Sequence, residues 1–194
     1  MAAPTVATTQ TDDGRAQAGE ATVGSAAAWW YEWVNEHRIG AIALVGVIAT
    51  QLGTYFGYVF PAIGLPTLPW PLFNGVLGAP VEEFGTTGSF FVGQSLHFVN
   101  GIVFAILYAV LALPMMPFRN THSGNVARGL LYGVVMTVIS IGLLVPYAYV
   151  PKQGYGFFTF YGPDGWKLPA AVLLWHLIYG YFLGALYQLR NERS

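Results

Sequence analysis

Residues 89–113 read SFFVGQSLHFVNGIVFAILYAVLAL, a stretch with no Asp, Glu, Lys or Arg. As a helix it would be about 37 Å long, against a bilayer hydrocarbon core of about 30 Å. Three further uncharged stretches pass the same length test: 39–60, 129–150 and 168–189. The chain has 194 residues, of which 55% are hydrophobic and 9% charged, where soluble domains carry roughly 25% charge. Eight basic and nine acidic side chains cannot cover the surface of a soluble protein this size, and five of them (Asp12, Asp13, Arg15, Glu20 and Glu32) lie in the first 35 residues. The expected architecture is an all-α integral membrane protein with four transmembrane helices over 29–194. A net charge of −1 gives no field for nucleic acid. Without cysteine there is no disulfide and no thiolate metal site.

Basic residues set an orientation. Arg38, Arg119, Arg128, Arg190 and Arg193 flank the span ends on one side, and only Lys152 and Lys167 the other. The excess predicts a multi-pass protein of the cell inner (cytoplasmic) membrane with both termini cytoplasmic. Residues 1–28, rich in Ala, Thr and Gly and without an apolar core segment, read as a disordered cytoplasmic tail, not a cleaved signal peptide. The cluster Trp29, Trp30, Tyr31 and Trp33 suits a short helix in the headgroup layer. The outer loop from Pro61 to Gly88 contains Pro61, Pro66, Pro69, Pro71 and Pro80. It is too broken by proline for a fifth span and reads as a cap on the outer surface or a partly re-entrant segment. The second outer loop, Pro151 to Lys167, is aromatic, with a turn signal at Tyr161-Gly-Pro-Asp-Gly165; Phe157, Phe158 and Phe160 are expected to form a short hairpin on the membrane surface.

Spans two and four share a pattern. His97-FVN-Gly101-IVF-Ala105-IL-Tyr108 aligns with His176-LIY-Gly180-YFL-Gly184-AL-Tyr187. Spans one and three match more weakly, Gly46-VIA-Thr50 against Gly133-VVM-Thr137. The chain thus reads as a duplicated two-span hairpin. An even number of spans per unit makes the repeat parallel, about a pseudo-twofold axis along the membrane normal. Small residues four apart form stripes that let helices approach closely in lipid. Those stripes are Gly93, Gly101 and Ala105; Gly180 and Gly184; Gly53 and Gly57; and Gly129 and Gly133. By the same helical geometry Phe104 and Val110 are expected to face lipid.

His97 and His176 each sit eight residues after the outer start of their span, about 12 Å down. Each reads first as a neutral imidazole hydrogen-bonded to a neighbouring helix, with Thr50, Gln51, Thr137, Ser140 or Asn100 as partner. The cofactor reading is one haem held axially between them, with Gly101 and Gly180 leaving room for the ring. A metal or quinone contact is a further alternative, although two histidines alone make an incomplete metal site. His37 and His122 are expected at the surface. No span carries an Asp or Glu for proton relay, and no nucleotide-binding, zincin or nucleophile-elbow motif is present.

The pattern His-x-x-x-Gly-x-x-x-Gly/Ala-x-x-Tyr resembles helices of small, uncharacterised prokaryotic four-span membrane proteins of the domain-of-unknown-function type. The resemblance covers about a quarter of the chain. It implies the four-helix architecture, and no activity. The expected function is a non-catalytic membrane subunit that stabilises or helps assemble a larger complex of the respiratory or monooxygenase type, with lipid and other membrane subunits as partners and no cofactor. A haem-carrying electron-transfer protein is the alternative. A small transporter or channel is a weaker one, because no span offers a charged pathway.

Overall fold

Each uncharged stretch becomes one long helix, and the proline-rich segment between the first two becomes a short one. The computed structural model describes residues 26–118, 121–149, 151 and 164–189. Residues 26–36 form α1, which ends at a bend at His37. Helix α2 (Arg38–Val59) runs into a 3-10 turn, Phe60–Ile63, closed by Gly64 at φ 78°, a left-handed conformation that favours glycine. Helix α3 (Trp70–Gly78) starts with Pro71 in its first turn, where a missing N–H costs nothing. Helix α4 (Thr87–Leu107) is capped by Thr86, whose hydroxyl accepts from the Ser89 N–H; it continues through a π-helical turn, Tyr108–Ala112, and a last turn, Leu113–Met115. Helix α5 (His122–Ile139) is capped by the Thr121 hydroxyl and continues as a π-helix, Ser140–Tyr149, with Pro146 inside it. Helix α6 (Lys167–Leu186) follows. Among the described residues there is no strand.

Four helices are long and apolar enough to cross a membrane: Arg38–Ile63, Thr87–Met115, His122–Tyr149 and Lys167–Leu186. Three boundaries differ from the sequence reading by more than helix ends normally vary. The third span begins at His122, not at 129, because Thr121 supplies the N-cap. The first runs three residues beyond 60, through the 3-10 turn. The fourth stops at Leu186, short of 189, as Tyr187 leaves helical geometry. Arg128 is therefore not a loop residue: it lies in the second turn of α5, buried, and its guanidinium donates to Asn125 Oδ1 (3.1 Å) and to the Phe118 carbonyl. Those two acceptors make a buried cation tolerable there. Residues 26–28, read as the end of the tail, are already helical; the rest of that tail and the proposed aromatic hairpin at 157–160 lie outside the described residues.

The bundle is assembled on bare backbone. On α5 and α6 the contact is mutual: a Cβ on Gly129 would overlap the Gly180 carbonyl, and one on Gly180 would overlap that of Gly129. Gly133 faces the His176 carbonyl, and Gly184 that of Asn125. Helix α2 meets α4 where Gly46 touches Ala105 and Thr50 lies on Gly101. Gly53 and Gly57 lie under the Trp175 ring of α6, and Gly93 of α4 takes the Pro71 carbonyl and Gly75 of α3. In a bilayer, whose tails are as apolar as leucine, helices of this kind are held by close packing rather than by expulsion of water. The paired halves do not make equivalent contacts, since Gly101 packs on Thr50 while Gly180 packs on Gly129.

Helix α1 is tied to the far end of the chain. Trp30 Nε1 donates to the Leu186 carbonyl (2.9 Å), an acceptor that the end of a helix leaves open, and Asn35 Nδ2 to the Gln188 carbonyl just beyond it (3.3 Å). His37 and His122 are exposed.

Candidate functional site

Helix α3 folds back beside α4 and carries Trp70 and Asn74, both buried, to the middle of that helix. His97 lies ten residues into α4 and His176 nine into α6, about 15 and 14 Å along the respective axes. Trp175 touches both imidazoles, with ring centroids 5.4 Å from His97 and 5.2 Å from His176. Trp70 stacks on His97 at 6.4 Å and meets Trp175 edge-on at 5.9 Å. Aromatic pairs at such separations are worth about 0.5–1.5 kcal/mol beyond the area they bury.

The hydrogen bonds around His97 fix its tautomer. Asn74 Nδ2 can only donate, and it donates to the Trp70 carbonyl (3.0 Å) and to His97 Nδ1 (3.2 Å). Nδ1 therefore holds the lone pair and Nε2 the proton. That Nε2–H donates to Thr54 Oγ1 at 2.9 Å, and the Thr54 hydroxyl donates on to the Thr50 carbonyl at 2.8 Å. At the other end Asn74 Oδ1 accepts from the Tyr149 hydroxyl (2.6 Å) and from Asn100 Nδ2 (3.4 Å). One chain of bonds thus joins α2, α3, α4 and the π-helical end of α5. Two tyrosines add to it: Tyr179 of α6 donates to the Gly101 carbonyl (2.6 Å), and Tyr132 of α5 to that of Phe104 (2.7 Å).

None of the five partners expected for the histidines bonds either ring directly. Asn100 joins through Asn74, Thr137 donates to the Gly133 carbonyl of its own helix, and His97 is served instead by Thr54 and Asn74. His176 is different again. Its Nδ1–H donates to the Val172 carbonyl one turn earlier (2.9 Å), so Nε2 carries the lone pair and has no protein partner among the described residues. Thr50 Oγ1 and Trp175 Nε1 are buried without a hydrogen-bond partner among the described residues. Each such group costs about 1–3 kcal/mol if nothing satisfies it.

Thr50, Trp175 and His176 line one cavity of about 60 Å³, together with Asn100, Phe104, Met136, Ser140 and Tyr179 among others. Phe104, expected to face lipid, thus lines an internal space, because its side of α4 looks toward α5; Val110 is exposed. The space suits a few waters or a small head group. It does not suit a haem between the histidines. Both nitrogens of His97 are engaged, and the space beside Gly101 is filled by the Thr50 hydroxyl while that beside Gly180 is filled by Gly129. Among the described residues no group of three or more His, Cys, Asp or Glu could hold a metal ion.

Sequence reasoning found the two histidines and missed Thr54, Trp70, Asn74, Tyr149 and Trp175. Asn74 left one trace, a lone amide inside the apolar run WPLFNGVLG. Comparison with protein-family models, with curated proteins and with solved structures finds no match for this chain.

Proposed function

We propose that the chain is a non-catalytic, multi-pass membrane subunit that stabilises or helps assemble a larger membrane complex of the respiratory or monooxygenase kind. Unequal burial of the spans carries this reading. The apolar window of α4 is 22% buried within the chain, against 44%, 39% and 50% for α2, α5 and α6. Phe91, Val99, Val103 and Val110 stand exposed along it, leaving one helix with a broad face for another apolar chain. The internally bonded His97 supports a scaffolding role over an acid–base one, since a fully connected buried network rigidifies the fold that holds it.

The charge bias supports an orientation with both termini in the cytoplasm of an inner-membrane protein. In that orientation α3 enters from the outer side as a re-entrant segment, which is permitted because protein buries it. The shared His–Gly–Gly/Ala–Tyr pattern is read as a duplicated hairpin with parallel repeats, and the spans that carry it resemble helices of uncharacterised four-span proteins.

The chain has no cysteine, so single cysteines can be placed at will. A photo-crosslinker on Val99→Cys of α4 is expected to join a second polypeptide in native membranes, and one on Val138→Cys of α5 is not. Equal adducts at both positions, or none at either, would overturn the proposal.

A further inference from the structure

Beside the cavity that holds the histidines lies a second hollow of about 320 Å³ between α4 and α5, lined by apolar residues that include Leu107, Leu111, Val135 and Ile139. The two spaces adjoin, for Phe104 and Met136 line both. Leu111 and Val135 are exposed on the outer surface of the bundle, so the hollow opens toward the hydrocarbon region. Both spaces are bordered by the irregular helix segments: Leu111 and Ala112 of the Tyr108–Ala112 turn line the groove, and Ser140, Leu144 and Tyr149 of the second π-helix line the cavity. Such wide turns recur at functional sites.

The polar end has a defined chemistry. His176 Nε2 offers a lone pair on a residue more than nine-tenths buried, with no protein partner among the described residues, while the Thr50 hydroxyl is closed off against Gly101 and the Trp175 indole nitrogen against Gly53. No lysine, arginine or carboxylate lines the cavity, so a phosphate or carboxylate head would be buried without a counter-charge. A neutral hydroxyl can donate to the histidine.

We propose that the cavity and groove form one site for a neutral lipid with a hydroxyl-bearing head, entering from the bilayer between α4 and α5. The hydroxyl donates to His176 Nε2, the hydrocarbon chain lies along Leu107, Leu111 and Val135, and Phe104 and Met136 form the neck. At about 60 Å³ the cavity takes the hydroxyl end of an aliphatic alcohol and is too small for a quinol ring. This site is independent of the outward α4 surface argued above.

The test uses the full chain in phosphatidylcholine nanodiscs, with tryptophan emission read during titration. The probes are dodecan-1-ol and dodecane. A saturable change with the alcohol, absent with dodecane, is expected. His176→Leu is expected to weaken that binding about tenfold by removing the acceptor. Val135→Trp fills the groove from an exposed position, where the fold is not at stake, and should abolish it, whereas Val138→Trp on the same helix should not. No saturable binding of any probe, equal binding of dodecane, or unchanged binding in Val135→Trp would overturn the proposal.

Discussion

Replacing Gly180 with alanine adds a single methyl, and the structure fixes where it must go. The new Cβ would overlap the Gly129 carbonyl oxygen and stand 2.8 Å from its carbon and 3.3 Å from the Gly133 nitrogen. All three atoms are backbone, so no side chain can swing aside. Helices α5 and α6 have to part by roughly 1 Å in an interior that packs like an organic crystal. Overpacking of that kind costs about 1–3 kcal/mol, and parting the helices also weakens any Cα–H···O contacts, worth about 0.5–1 kcal/mol each. Alanine returns up to about 1 kcal/mol through its better helix propensity. The steric term wins, for a net loss of about 1–3 kcal/mol. Gly40→Ala isolates the propensity term, because nothing lies within 4 Å of its Cβ position; it should be neutral or stabilising by up to about 1 kcal/mol. The assay is thermal unfolding in mild detergent, where roughly 2–4 °C per kcal/mol is expected for a chain of this length. Gly180→Ala melting with the wild type would show that the α5–α6 seam is not closed on backbone, and the packing argument would fail.

Asn74→Leu removes the acceptor of the Tyr149 hydroxyl and strands His97 Nδ1, and should destabilise by about 1–3 kcal/mol; combined with His97→Phe in a double-mutant cycle, it should show coupling above about 1 kcal/mol, and additive losses would dissolve the network. Arg128→Leu releases the Phe118 carbonyl and Asn125, for a loss of about 1–3 kcal/mol. Arg128→Lys should recover little of it, because an ammonium cannot span both acceptors as the guanidinium does; full recovery would mean that charge alone matters there. For topology, a reporter fused after Ser194 should be cytoplasmic and a tag between Gly162 and Gly165 should be labelled from outside; the reverse result would invert the orientation without touching the four spans.

The spans were legible because lipid leaves few ways to write one: long stretches without Asp, Glu, Lys or Arg have no other use in a chain this size. Seam glycines were legible for a related reason, since spacing of four places small residues on one helix face whatever that face meets. What they meet was not legible. Gly101 and Gly180 occupy matching places in the sequence pattern, yet one packs on a threonine and the other on a glycine, because contact register depends on how each hairpin crosses. The site divides in the same way. His97 stood out as a polar ring on an apolar helix, while its partners come from α2 and α3, 43 and 23 residues away in sequence, and Tyr149 reaches Asn74 across 75. Local sequence carries no trace of such pairings. Pro146, like the lone amide Asn74, is an overlooked local signal. It cannot donate a backbone hydrogen bond, and it sits inside the π-helix, Ser140–Tyr149, that brings Tyr149 to Asn74.

The central claim is that the chain works as one subunit of a larger membrane assembly, and its mass when released gently from native membranes tests that claim most directly. Native mass spectrometry after extraction in mild detergent should find the 21.1 kDa chain in a species of fixed, larger mass that contains at least one other polypeptide, and a tryptophan at Val99 on α4 should shift it to the free chain. The chain alone at 21.1 kDa in every mild detergent, with the Val99→Trp variant indistinguishable from wild type, would contradict the account.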